Sequence, residues 1–234
     1  MIPHKENSYE LSARKVAERL GIQLVDLKGA NCCGLNLGPI DYLTSVVLAA
    51  RDLSLAEETG CDLVTLCNGC FGHLTKVRGE LLRNQELRES VNTILNEVHR
   101  EFKGRCEVRH FVQVLLRDVG VSKIREMVTR SMKGLRVAPY YGCHIVKPSD
   151  EIGFENPEET TLLDSLVKAT GVKCVVFIGK NACCGAPIVG VDEKLSLKIA
   201  RDKLIHIKKA DAEAVVTICP FCHLQLDLNQ LAVE

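Results

Sequence analysis

The chain has 234 residues, and its 30 Lys and Arg balance its 30 Asp and Glu, so the net charge is zero. That length supports one or two domains with real cores. The charge balance leaves no basic footprint for nucleic acid or an anionic membrane. Apolar runs such as residues 46–50 fall far short of the roughly 20 residues a membrane span needs. No signal-peptide core follows Met1, and the expected location is the cytoplasm.

Tyr9, Ala13, Val16, Ala17 and Leu20 form one stripe of a first helix, with Asn7 or Ser8 as its N-cap and Gly21 as its stop. Residues 23–27 read as a short strand. Pro39 can open a second helix running to Gly60. Residues 62–66 read as a buried strand, and a long polar helix follows Cys70 to about Arg100. Residues 101–134, punctuated by Gly104, Gly120 and Gly134, are expected to hold one or two short helices. Then come a strand at 135–141, a helix at 158–169, a strand at 173–178, a helix at 193–210 and a strand at 214–218. Such alternation predicts an α/β fold with parallel sheets covered on both faces.

Twelve cysteines is a high count for this length. A disulfide framework belongs to secreted, loop-rich chains, whereas a helix-rich chain without a signal peptide favours metal binding. The cysteines also reveal a duplication. Asn31-Cys32-Cys33-Gly34 is matched by Ala182-Cys183-Cys184-Gly185, and Leu66-Cys67-Asn68-Gly69-Cys70 by Ile218-Cys219-Pro220-Phe221-Cys222. From Cys33 to Cys67 there are 33 intervening residues, and from Cys184 to Cys219 there are 34. Two pseudo-symmetric units in tandem are therefore expected, over 1–104 and 105–234. The second unit adds a strand running into Gly142-Cys143. No counterpart precedes Cys32; from the likeness of Met1-Ile-Pro-His-Lys to Cys143-His-Ile-Val-Lys-Pro the missing strand and cysteine are expected just before Met1, with a genuine loss of both as the alternative.

In this topology the paired cysteines follow strands and precede helices, so they converge on the carboxyl edge of each sheet. A thiolate at a helix N-terminus is stabilised by free N–H groups. Structural zinc takes four ligands, but the second unit offers five thiols: Cys143, Cys183, Cys184, Cys219 and Cys222. A surplus that includes adjacent residues suits an iron–sulfur cluster of unusual shape. Zinc and a redox dithiol stay open as alternatives. Cys61, Cys106 and Cys174 are expected to be buried small hydrophobes. His73, His144 and His223 are expected to be solvated or structural, although His223, next to Cys222, could bond a cluster sulfur or relay a proton.

The order Cys-x39-Cys-Cys-Gly-x33-Cys-x-x-Cys from Cys143 to Cys222 resembles the cysteine-rich CCG domain, and two in tandem are similar to the B subunits of heterodisulfide reductases. The resemblance covers nearly the whole chain. It implies a noncubane [4Fe–4S] cluster in each unit, facing the other across a pseudo-two-fold axis. Cys143, Cys183, Cys184, Cys219 and Cys222 would hold one cluster, and Cys32, Cys33, Cys67 and Cys70 the other, which lacks its fifth ligand. It further implies that a disulfide such as coenzyme M joined to coenzyme B is cleaved between the clusters. Electrons would come from a ferredoxin-like C subunit fed by a flavin-containing A subunit. The family pattern continues further than the 12 residues after Cys222. Relatives in lactate, glycolate and fumarate systems give a second expectation, an electron-transfer component that touches no organic substrate.

Overall fold

A computed structural model of the chain describes residues 6–233. Residues 1–5, on which the expectation of a missing strand and cysteine turns, lie outside them. The first helix, α1 (Asn7–Leu20), buries Ala13 and Ala17 and stops at Gly21, as its stripe predicts. Its capping position is Glu6 rather than Asn7 or Ser8, and the Glu6 carboxylate turns away to His223 instead of back to the helix. Val16 faces outward. Helix α2 (Tyr42–Thr59) starts beyond Pro39, because Asp41 caps it by accepting from Thr44 N at 3.0 Å.

Strand β1 (Leu63–Thr65) leads into α3 (Asn68–Arg83). The single long helix expected here is two. Asn84 leaves helical geometry (φ −117°, ψ 100°) and its side chain caps α4 (Gln85–Asn96) through Leu87 N. The stretch read as a helical connector contains a strand, β2 (Val108–His110), then α5 (Phe111–Val114) and α6 (Val121–Met127). The chain continues through β3 (Arg136–Tyr140), α7 (Ser149–Ile152), α8 (Leu162–Lys168), β4 (Lys173–Cys174), α9 (Glu193–Lys209) and β5 (Ala214–Thr217). It closes with α10 (Pro220–His223) and α11 (Gln230–Val233).

The strands form two parallel sheets, as the alternation predicts. β1 pairs with β2, Leu63 opposite Val108 and Thr65 opposite His110. In the second sheet β3 lies between β4 and β5, with Val137 facing Cys174 on one side and Ala214 on the other. Among the described residues, 23–27 join no sheet. A cavity of about 440 Å³ separates them from β1, in the place that β3 takes in the second sheet. An extended segment with no neighbour has no ladder to enter, which is why this strand reading fails. β4 is also shorter than expected, and Val176 and Ile178 stand exposed.

The largest buried cluster joins the two units. Val46, Leu53, Phe71 and Leu81 pack in the same cluster as Val137, Tyr141, Ile145 and Leu163. Gly72 permits the close approach, since a Cβ there would lie 2.9 Å from His144 O. Among the described residues no helix is long and apolar enough to cross a membrane.

Candidate metal centres

Each double cysteine stands on a turn built the same way. Gly34 (φ 85°) and Gly185 (φ 88°) are left-handed, and a Cβ on them would lie 2.7 Å from Ser45 O and 2.6 Å from Ser196 O. Only glycine meets both demands without strain. Ser45 Oγ donates to Gly34 O at 2.8 Å, and Ser196 Oγ donates to Gly185 O at 2.9 Å. Each hydroxyl proton is thereby used, so the second partner must donate. Gln225 Nε2 does so to Ser196 Oγ at 3.0 Å, and His73 Nε2 lies 3.0 Å from Ser45 Oγ. His73 therefore carries its proton on Nε2, and burial lowers its pKa and keeps it neutral.

The remaining paired thiols sit where strands turn into helices. Cys67 and Cys219 occupy the capping positions of α3 and α10, and Cys70 and Cys222 lie in the first turns. Cys143, Cys183, Cys184, Cys219 and Cys222 line one cavity with Asn68, Pro187 and Phe221. Here the thiols solvate each other. Hydrogen bonds from Cys143 and then Cys184 hold Cys183 down to about 2, and Gly185 N adds a bond at 3.3 Å. Cys143 is correspondingly raised, first by Cys183 and then by burial, and Cys184 rises to about 12, first through Cys183. Cys219 is lowered by Cys222 and Cys67, while Cys222 is raised by Cys184 and Cys219.

In the first unit Cys33 falls to about 7 through its bond with Cys70, and Cys70 is raised chiefly by Cys33 and then Cys67. Cys67 is raised, above all by Cys219. Its sulfur lies 3.9 Å from that of Cys219, so the two sets meet across the units. Cys32 is exposed.

Several expectations change. Cys61 is exposed rather than buried and borders the 440 Å³ cavity. Cys106 is buried, with its thiol toward Leu53 O, and Cys174 is half-buried. His144 Nδ1 lies 3.1 Å from Cys143 Sγ. His223 is held by Glu6 at 2.9 Å and Asp227 at 3.2 Å. Sequence reading also missed His110, which is buried and pushed down to about 4 by desolvation. Its Nδ1 accepts from Val112 N, and its Nε2 has no partner among the described residues. Buried Asp52 and Lys203 were missed as well. The signal lay in the repeat itself: the 151-residue offset from Gly34 to Gly185 also carries Ser45 to Ser196 and Asp52 to Lys203.

The model of the cysteine-rich CCG domain matches residues 1–75 and 137–227, which take in both sets. Over 238 residues the chain is 37% identical to the B subunit of the ferredoxin/F420H2-dependent CoB-CoM heterodisulfide reductase of Methanosarcina acetivorans, spanning all of this chain and 79% of that protein. The chain belongs to the tandem CCG family of heterodisulfide reductase B subunits. This tandem CCG chain is also 33% identical to the 8-methylmenaquinol:fumarate reductase membrane anchor subunit of Wolinella succinogenes, over 94% of its own length and 76% of the relative's. A crystal structure of a hypothetical protein from Helicobacter pylori matches it with a TM-score of 0.73. That match covers 97% of this chain and 41% of the other at 16% identity, and shows the fold alone. The CCG membership makes the chain an iron–sulfur reductase subunit, one component of a multi-subunit assembly.

Proposed function

We propose that this chain is the component at which a small-molecule disulfide, of the coenzyme M–coenzyme B kind, is reduced to two thiols. One noncubane [4Fe–4S] cluster is held by Cys143, Cys183, Cys184, Cys219 and Cys222, the other by Cys32, Cys33, Cys67 and Cys70. The observation that carries this reading is the 3.9 Å approach of Cys67 Sγ to Cys219 Sγ, which turns the two thiol sets toward each other. The donor chemistry fits. Five thiols around one cavity exceed what a single tetrahedral ion uses and suit a group of several irons. Two such clusters, when bound, supply one electron each, the pair a disulfide takes up.

The protein's own part is to hold and to exclude. Gly34 and Gly185 turn the backbone so that adjacent cysteines present both sulfurs. The starts of α3 and α10 place Cys67 and Cys219 at capping positions with their sulfurs 3.9 Å apart. Phe221, Pro187 and Leu35 wall the cavity against water. His144, beside Cys143, is placed to hold or pass a proton at that sulfur. In this reading the chain works in the cytoplasm, where thiols stay reduced. It receives electrons from a ferredoxin-like C subunit, itself fed by a flavin-containing A subunit.

A second reading follows from the Wolinella relative, part of a fumarate reductase. There the same centres would pass electrons without touching an organic substrate. Electron paramagnetic resonance of the anaerobically reconstituted protein separates the two. Disulfide reduction predicts a cluster signal that changes on adding coenzyme M or coenzyme B. An unchanged signal favours electron transfer alone. Zinc with little iron would remove both.

A further inference from the structure

The two units repeat their backbone and hydrogen bonds but not their buried charge. Asp41 and Asp192 cap α2 and α9 alike, and Ser45 and Ser196 bind the two CCG glycines alike. Along the same helices, at the same offset, Asp52 stands where Lys203 stands in the second unit. Both are buried, at 5% and 4% exposure. Each reaches the loop just before its double cysteine. Asp52 Oδ1 accepts from Asn31 N at 3.1 Å, and Lys203 Nζ donates to Gly179 O at 2.7 Å while lying 4.4 Å from the centre of the Tyr140 ring. Their neighbours are exchanged as well, half-buried Arg51 beside Asp52 and exposed Asp202 beside Lys203. Arg51 Nη1 stands 3.6 Å from Asp52, so the acid is only partly offset. No carboxylate among the described residues forms an ion pair with Lys203.

We propose that Lys203 and Asp52 hold the two centres at different reduction potentials, the second-unit centre high and the first-unit centre low. Reduction adds one negative charge to a centre. A buried ammonium stabilises that added charge and a buried carboxylate opposes it, and little solvent intervenes to screen either. Lys203 bonds Gly179 O four residues before Cys183, and Asp52 bonds Asn31 N immediately before Cys32, so each charge sits against the loop that carries its double cysteine. The ordering gives transfer a direction: the first electron delivered rests on the second-unit centre, and the second must be driven onto the first-unit centre. Both side chains are positioning residues, since they touch backbone and ring rather than sulfur.

The inference rests on the two-centre reading above. Its test is a redox titration with dithionite at pH 8, followed by electron paramagnetic resonance, on full-length protein loaded with ferrous iron and sulfide. Signals are assigned by their loss in Cys219→Ala. Lys203→Met is expected to lower the second-unit midpoint by at least tenfold in the one-electron equilibrium constant, 59 mV, and to leave the first-unit midpoint in place. Lys203→Arg keeps the charge and is expected to stay within twofold of the parent. Asp52→Asn is expected to raise the first-unit midpoint and leave the second. Either arm decides alone if the other variant fails to load. Midpoints that hold within twofold in a fully loaded variant, or that move together, overturn the proposal. Parent protein that takes up no iron overturns the two-centre reading instead.

Discussion

Replacing Gly185 by Ala tests whether the CCG turn is built as described. Two costs follow from the geometry of the turn. At φ 88° an L-residue is strained, which costs about 1–2 kcal/mol. The new Cβ would also lie 2.6 Å from Ser196 O and 3.2 Å from Ile199 Cβ. Helix α9 must then shift, an overpacking cost of about 1–3 kcal/mol. Together they predict roughly 2–5 kcal/mol of destabilisation. Urea unfolding of the metal-free protein, followed by circular dichroism, reads this directly. With a slope of about 2–3 kcal/mol per molar, the midpoint falls by about 1–2 M. Gly190→Ala is the control, since a Cβ there meets nothing within 4 Å and its φ is ordinary. It should cost less than about 0.5 kcal/mol. Equal midpoints for the two variants would refute the reasoning.

The internal repeat makes its own mutagenesis table. His73→Gln places at the first turn the amide that Gln225 already supplies at the second, and unfolding free energy should fall by less than about 1 kcal/mol, against about 1–3 kcal/mol for His73→Ala. His110 bears on acid stability. Burial holds its pKa near 4 in the fold, below the unfolded value of about 6.5. The unfolded chain therefore binds the extra proton first, and this contribution is full above pH 6.5 and lost as pH falls toward 4. The loss is about 3 kcal/mol, and His110→Asn, which keeps an acceptor at the cap, should flatten the stability–pH curve of the metal-free protein in that window; a curve of unchanged slope would dismiss the assignment. Iron analysis after anaerobic reconstitution should show about four fewer irons in Cys219→Ala. Cys174→Ala should keep them all, because that thiol faces Asp164 O rather than the cavity.

Cysteine spacing exposed the duplication and pointed to two thiol sets because thiol chemistry demands particular residues at particular separations. The parallel α/β plan was legible from alternating helix and strand patterns. What escaped the sequence depended on neighbours. Residues 23–27 have a strand's composition, yet no strand of the described chain lies against them. Val108–His110 is only three residues long and becomes a strand because β1 is beside it. The break at Asn84 turned on a side chain that caps one helix while ending another. Nothing in the sequence marks Lys203 and Asp52 as buried, since only the packing of α9 and α2 buries them. Cys61 was misjudged for the converse reason: the space beside it holds a cavity rather than packed side chains.

Joining the two CCG units in one polypeptide has a consequence for what mutation can reach. Were the same cleft formed by two identical chains about a true dyad, any substitution under one centre would appear under the other, and the pair would stay degenerate. Covalent fusion lifts that constraint. A position such as 52 can take an acid while its image at 203 takes a base, with the glycine turn and serine bond of each unit untouched. Broken symmetry thus leaves the scaffold's turns in place while burying two opposite charges, and an interface built from similar halves is free to acquire an entry side and an exit side.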